Sequence, residues 1–276
     1  MVTREVKKLT LAGGLGKDWR KGVNHLPAYD RFAEIYDQVM TGVDYEGWAE
    51  YIEELLRFHR FAPRKIVDLA CGTGNTTFPL ARRGYQMAGV DAAPGMLAKA
   101  REKAARAGLD IPFYQQDLRE LDLPEKYDLA ICLYDSLNYI LEGEELTRVF
   151  RRVREAVRSG GLFIFDMNSH YRLSHLEAGT SLFKEEDFVL FWSNEYFTNP
   201  GIWQITLTGF LRRGDCWERF DEVHQERAYL TDEIIQRLQQ AGWRLEGAYT
   251  AYTLFPVQET TARIYFVAKR GDDRSG

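Results

Sequence analysis

Between Lys65 and Asn168 short apolar runs alternate with segments of helical period, and this alternation constrains the fold more than any other feature. The runs are KIVDLA, YQMAGVD, IPFYQQD, YDLAICLYD and LFIFDMN. Between them the spacing predicts helices over 75–83, 94–107 and 143–157. The second opens with Pro94 in its first turn and stops at Gly108, which suits the chemistry of helix ends. The third carries Leu146, Val149, Phe150 and Val153 at helical spacing, and Gly160 and Gly161 are read as its end. Strands separated by helices predict an α/β fold, a doubly wound parallel sheet with helices on both faces. Right-handed crossovers then leave few topologies.

The flanking regions read differently. Residues 1–26 are polar and glycine-containing, as expected of an irregular arm. A helical aromatic pattern starts at Tyr29 with Phe32, Ile35 and Tyr36. A second follows Asp44, with Trp48, Ile52, Leu55, Leu56 and His59 on one face, and Pro63 ends it. Over residues 171–230 long alternating runs rich in aromatics predict an inserted antiparallel β meander of about three strands. Trp203, Ile205, Leu207 and Leu211 share one face there, and Trp192, Tyr196 and Trp203 read as core of the insertion. A helix over 231–241 and two closing strands complete a core made of residues 27–170 and 231–270.

A chain of 276 residues with 45% apolar content can fill the core of one such domain carrying an insertion. The net charge of -5 argues against a sequence-independent grip on nucleic acid. Three widely spaced cysteines, Cys71, Cys132 and Cys216, form neither a disulfide framework nor a zinc pattern, so a reducing cytoplasm is expected. No histidine spacing suggests a metal. The opening MVTREVKKLT lacks an apolar signal core, and no run of about 18 apolar residues suggests a membrane span.

The stretch IVDLACGTGNTT, Ile66–Thr77, places a glycine turn at the end of the first sheet strand, where open α/β sheets bind ligands. A dinucleotide site needs G-x-G-x-x-G, but Thr77 stands at the third glycine position. Asp68 adds negative charge beside the place a pyrophosphate would occupy, and no phosphate-loop Gly-Lys-Ser/Thr follows. The turn therefore suits a cationic or zwitterionic ligand without phosphate. Asp68 either meets that ligand or braces the loop. Asp91 ends the second strand, where a carboxylate can accept from both hydroxyls of a ribose. Asp117, in QQDL, can accept from the amine of a base, and Met96 can pack on a purine face.

Together, VDLACGTGNTT, Asp91, QQDL and YDLAICLYDSLNYI resemble the motifs of class I S-adenosylmethionine-dependent methyltransferases. The resemblance covers roughly 27–170 and 231–268, and is strongest to bacterial small-molecule enzymes such as glycine, sarcosine and amino-sugar N-methyltransferases. It implies a seven-stranded, mostly parallel, Rossmann-like sheet whose final strand inserts antiparallel beside the fifth. It also implies S-adenosylmethionine as cofactor. Ala70, Cys71 and Gly72 would line the methionine part by backbone, Asp91 would bind the ribose, Asp117 with the Leu118 N–H would read the adenine edge, and Gly74 and Ala92 would also belong to the cofactor site. Leu133 would offer its carbonyl to the methionine ammonium, while Tyr29 and Tyr36 would close over the cleft.

The acceptor is expected to be a small molecule, foremost an amine, held between residues 134–138, the aromatic N-terminal helix and the insertion. Tyr134, Asp135 and Asn138 are candidates for orienting it, although Asp135 and Asn138 equally suit turn caps. His224 is a candidate general base and Arg227 a candidate carboxylate clamp, each with a purely structural alternative. An exposed edge of the inserted strands would suit a homodimer. Two other functions fit the same sheet, a nicotinamide-dependent oxidoreductase and a non-catalytic S-adenosylmethionine-binding protein.

Overall fold

The computed structural model describes residues 7–9 and 28–271. Seven strands form the main sheet: β2 (Lys65–Leu69), β3 (Gln86–Asp91), β4 (Phe113–Gln115), β5 (Tyr127–Cys132), β6 (Val157–Asn168), β11 (Trp243–Thr250) and β12 (Arg263–Arg270). Their order is β11-β12-β6-β5-β2-β3-β4. Strands β2 to β6 pair in parallel, and β12 wedges in antiparallel between β6 and β11, as the resemblance implied. The chain runs outward from β2 to β4 and then crosses back to β5. The crevice where a ligand belongs therefore opens at the carboxyl ends of β2 and β5.

Both faces of the sheet are covered, which is why its strands read as nearly continuous apolar runs. On one face Ile66, Leu129, Ile131 and Ile164 pack against Ile52 and Leu55 of α2 (Tyr45–Phe58). On the other, Val67, Ala130, Phe163 and Phe165 meet Val149, Phe150 and Val153 of α5 (Gly143–Ala156) and Leu238 of α7 (Thr231–Gln240). Local chemistry fixes the helix ends. The Asp44 carboxylate accepts from the Gly47 N–H at 2.9 Å at the start of α2. α4 (Pro94–Ala107) begins at Pro94 and ends on left-handed Gly108.

Four expectations need correction. Gly160 and Gly161 do not end α5, which stops at Ala156; they form a bulge inside β6, opposite a register shift in β5. A Cβ on Gly161 would fall 2.6 Å from the Asp128 carbonyl oxygen, so close strand approach explains that glycine. The helix expected from Tyr29 is reduced to a 3-10 turn, Phe32–Glu34, and the short α1 (Tyr36–Val39). Within the expected irregular arm, Lys7–Leu9 form strand β1; the rest of residues 1–26 lie outside the described residues.

The insertion holds four strands rather than about three: β7 (Gly179–Lys184), β8 (Phe188–Phe197), β9 (Ile202–Arg213) and β10 (Cys216–Arg227). With β1 they form one antiparallel sheet, β1-β7-β8-β9-β10. β7 left a weak signal because its residues are half-buried or exposed on both faces. Trp203, Ile205, Leu207 and Leu211 do share a buried face, packed with Phe32 and Ile35. The inserted sheet thus holds residues 29–40 over the crevice of the main sheet.

Candidate active site

A cavity of about 540 Å³ lies at the carboxyl ends of β2, β3 and β5, beneath residues 28–36. Its floor is the glycine turn, where Ala70 and Gly72 take positive φ. The Asp91 carboxylate clamps this turn to the next loop, accepting from Gly72 N–H and Ala93 N–H at 2.8 Å each. Burial pushes the Asp91 pKa up, against the pull of those two N–H bonds. Asp68 is buried behind the turn and accepts from the Thr77 hydroxyl at 2.6 Å. This bond explains why threonine occupies the third glycine position. Burial lifts the Asp68 pKa to about 7, with Thr77 opposing and Asp91 adding to the rise.

Of the expected cofactor residues, Tyr29, Tyr36, Asp68, Ala70, Cys71, Gly72, Asp91, Ala92, Met96, Asp117, Leu118 and Leu133 all line this cavity. Gly74 does not. It serves the turn instead, because a Cβ there would sit 2.8 Å from the Phe78 ring. Asp117 caps the turn Leu118–Glu120 through the Arg119 N–H at 2.9 Å and pairs with the Arg119 guanidinium, which holds its carboxyl low. The Leu133 carbonyl accepts from the Ser136 hydroxyl at 2.9 Å. Cys71 is buried and its thiol is pushed well up, which is contrary to a nucleophile.

Tyr134 and Asp135 occupy successive left-handed positions, φ 63° and 54°. This sharp bend after β5 turns one side chain into the cavity and the other away from it. Tyr134 lines the wall, with its ring centroid 5.0 Å from that of Trp48. Asp135 leaves the cavity and bonds Arg263 Nη2 at 2.6 Å, while the same guanidinium bonds Asp166. Asn138 is fully buried and spends its amide on the Asn168 backbone and the Arg227 carbonyl, at 2.9–3.1 Å. Arg227 bonds Glu233 and the Leu141 carbonyl and lies 4.4 Å from the Tyr229 ring centroid. Neither Asp135 nor Asn138 caps the turn with its side chain: Asp135 pairs with Arg263 and Asn138 ties two backbone segments, while Arg227 pairs with Glu233. His224 also lies behind the wall, with Nε2 3.1 Å from Glu222 and Nδ1 3.3 Å from the Tyr139 hydroxyl.

Sequence reasoning missed Tyr139, Tyr45 and Trp48, all in the wall, and Glu222 and Glu226 behind it. A signal for the two acids existed. Phe220, Glu222, His224 and Glu226 alternate along β10, so the acids had to share the inward face of Phe220. It also missed the bond network that ties α1 to the floor. Lys103 Nζ bonds Asp37, Thr73 and Asn75 at 2.6–3.0 Å, and Asp37 accepts from Thr73 and Asn75 as well.

A sequence profile described as a methyltransferase domain matches residues 66–161. A protein of Geobacillus sp. (strain WCH70) with a methyltransferase name is 33% identical over 88% of this chain and 99% of its own length. This chain belongs to the methyltransferases. A crystal structure of an S-adenosylmethionine-dependent methyltransferase from Clostridium acetobutylicum ATCC 824 aligns with a TM-score of 0.77 at 33% identity, covering 88% of this chain and 99% of that one. A more distant methyltransferase, a dTDP-4-amino-2,3,4,6-tetradeoxy-D-glucose N,N-dimethyltransferase of Saccharopolyspora spinosa, is 28% identical over 49% of this chain and 53% of its own length.

Membership makes the protein an S-adenosylmethionine-dependent transferase and sets aside the nicotinamide-dependent alternative. The site's chemistry fits that cofactor: hydrogen-bond acceptors at Asp91 and Leu133 and an apolar slot at Met96. Among the described residues no group of His, Cys, Asp or Glu is placed to hold a metal, and no helix is long and apolar enough to cross a membrane.

Proposed function

We propose that this methyltransferase acts on the nitrogen of a small-molecule amine. The observation that carries this reading is the balance of charge and rings in the wall. Four acids line it, Asp30, Asp68, Asp91 and Asp117, against one arginine, Arg119, which Asp117 already pairs. Six aromatic rings, those of Tyr29, Tyr36, Tyr45, Trp48, Tyr134 and Tyr139, complete it. Such a wall attracts a cation by field and by ring quadrupole, and beyond the backbone N–H groups of the turn it presents no unpaired cationic side chain to an anionic acceptor. The relative from Saccharopolyspora spinosa, named for an amino sugar, agrees with it.

When bound, the cofactor supplies an electrophilic methyl group that needs no activation. The chain's own work is then to bind, orient and exclude water. Asp91 would accept from the ribose hydroxyls with its remaining lone pairs. Met96 would cover the purine, Asp117 and the Leu118 N–H would read its edge, and the Leu133 carbonyl would take the ammonium. Ala70, Cys71 and Gly72 would hold the amino-acid tail, with Tyr29 and Tyr36 closing over it. Holding the acceptor nitrogen in line with the carbon–sulfur bond can contribute about 7–11 kcal/mol toward the barrier.

Incubation with methyl-labelled S-adenosylmethionine and a panel of amines, alcohols and carboxylates tests the assignment. Label is expected on amines, and label confined to oxygen would refute it. Asp68 gives a second check. Its raised pKa, about 7, means that a cationic ligand binding nearby must expel a proton at lower pH. Affinity for S-adenosylmethionine should therefore rise roughly tenfold from about pH 6 to about pH 8 and level off above that. Titration calorimetry should show proton release on the acid side, and Asp68→Asn should abolish both effects.

A further inference from the structure

We propose that Tyr139, His224 and Glu222 form a proton relay that takes up the proton set free when the acceptor nitrogen is methylated; the proposal rests on the amine reading above. The three groups lie in series from the cavity to the interior. Tyr139 lines the cavity wall, and its hydroxyl is 2.8 Å from that of Tyr29 and 3.3 Å from His224 Nδ1. His224 Nε2 is 3.1 Å from Glu222 Oε2. His224 and Glu222 are 2% and 0% exposed, so water does not compete for these bonds.

The tautomer follows from the partners of Glu222. Its carboxylate accepts from the backbone N–H groups of Tyr29, Arg31 and Phe32 at 2.7–2.9 Å, so it is held as an acceptor and cannot swing. Nε2 must then carry the hydrogen. In a neutral imidazole this leaves Nδ1 bare, aimed at the Tyr139 hydroxyl. Ring packing fixes that aim: the Tyr29 ring meets the imidazole edge-to-face at 4.7 Å and 89°. A bare ring nitrogen oriented by a carboxylate on its far side is the arrangement of an activated base.

Tyr139 passes a proton rather than storing charge. Burial and the neighbouring charges of Glu226 and Asp135 raise its pKa well above that of an ordinary phenol, and Tyr29 behaves alike. The titratable groups around the relay are Glu222 and Glu226 on β10, Asp135 on the turn after β5, Tyr29 on the covering segment and Tyr36 on α1. In the transfer the nitrogen–carbon bond forms as the carbon–sulfur bond breaks, with its electron pair remaining on sulfur. The nitrogen's proton moves to the Tyr139 oxygen while the Tyr139 hydroxyl proton moves to Nδ1. The imidazolium so formed is bonded at both ends, by Tyr139 and by Glu222, until the site opens. A secondary amine freed of its proton can then accept a second methyl group.

Nitrogen NMR on protein with ¹⁵N-labelled histidine, saturated with S-adenosylhomocysteine, reads the relay without an acceptor. With His224 assigned through His224→Gln, its ring should be the Nε2–H tautomer. Tyr139→Phe should move only the Nδ1 resonance, toward that of an unbonded ring nitrogen. An Nδ1–H tautomer, or an Nδ1 resonance indifferent to Tyr139→Phe, would overturn the proposal. With any amine that accepts label, Tyr139→Phe should lower turnover about 100-fold while S-adenosylhomocysteine affinity stays within about twofold. Singly methylated product should accumulate. Turnover within about twofold of the parent, with an unchanged ratio of singly to doubly methylated product, would refute the relay. If no amine accepts label, the amine reading fails while the NMR result still decides the geometry.

Discussion

Asp91→Ala should raise the dissociation constant for S-adenosylmethionine by about 100-fold or more. A hydrogen bond to a charged group contributes about 1.5–3 kcal/mol, and a ribose presents two hydroxyls to this carboxylate. At about 1.4 kcal/mol per tenfold, losing both accounts for that weakening. A further loss is built into the free protein. The same carboxylate holds Gly72 N–H and Ala93 N–H, so its removal loosens the turn before any ligand arrives. Asp91→Asn should do little better, because an amide nitrogen would face one of those N–H donors. Titration calorimetry measures both variants, and an unchanged affinity would disprove the placement of the ribose.

Arg263→Met should destabilise the protein by roughly 3–5 kcal/mol, the usual cost of stranding buried charge. Arg263 is the shared partner of Asp135 and Asp166, whose side chains are 13% and 1% exposed. Without it, the only bond remaining between them is that from the Asp135 N–H to Asp166, at 3.2 Å. Burial already pushes the Asp166 pKa up and the guanidinium pulls it back, so the variant's carboxylates should hold their protons to higher pH. The loss should therefore shrink on acidification, since protonation removes the stranded charge. Urea midpoints across pH measure this. Adding Asp135→Asn and Asp166→Asn to the variant should restore most of the stability at neutral pH.

These residues also show where sequence reading stops. α4 was legible to its last residue because Pro94 and Gly108 act within one turn of themselves. The glycine turn and Asp91 were legible because a strand end, a bend and an acid lie close in sequence. Asp135 was not, because its partner stands 128 residues away and nothing local announces a buried arginine. The Tyr29 helix failed for a similar reason. Glu222, some 190 residues further on, takes the backbone N–H groups that begin that turn, and Tyr29 itself sits at φ 63°. Asn138 and Arg227 look alike in isolation, and only the packed structure shows the Asn138 amide on the Asn168 and Arg227 carbonyls and the Arg227 guanidinium on Glu233 and the Leu141 carbonyl.

The position of β12 bears on how the molecule is made. It pairs on both edges, yet among the described strands it comes last in chain order. Until Arg263 emerges, the apolar stretch Leu162–Met167 has an unprotected border, and Asp135 and Asp166 face each other without their counter-ion. A nascent chain in that state is open to strand exchange with its neighbours on the polysome. Chaperone capture during synthesis should concentrate in the interval between completing β6 and delivering β12, and a stop codon placed just before residue 263 should yield aggregate rather than a weakened enzyme.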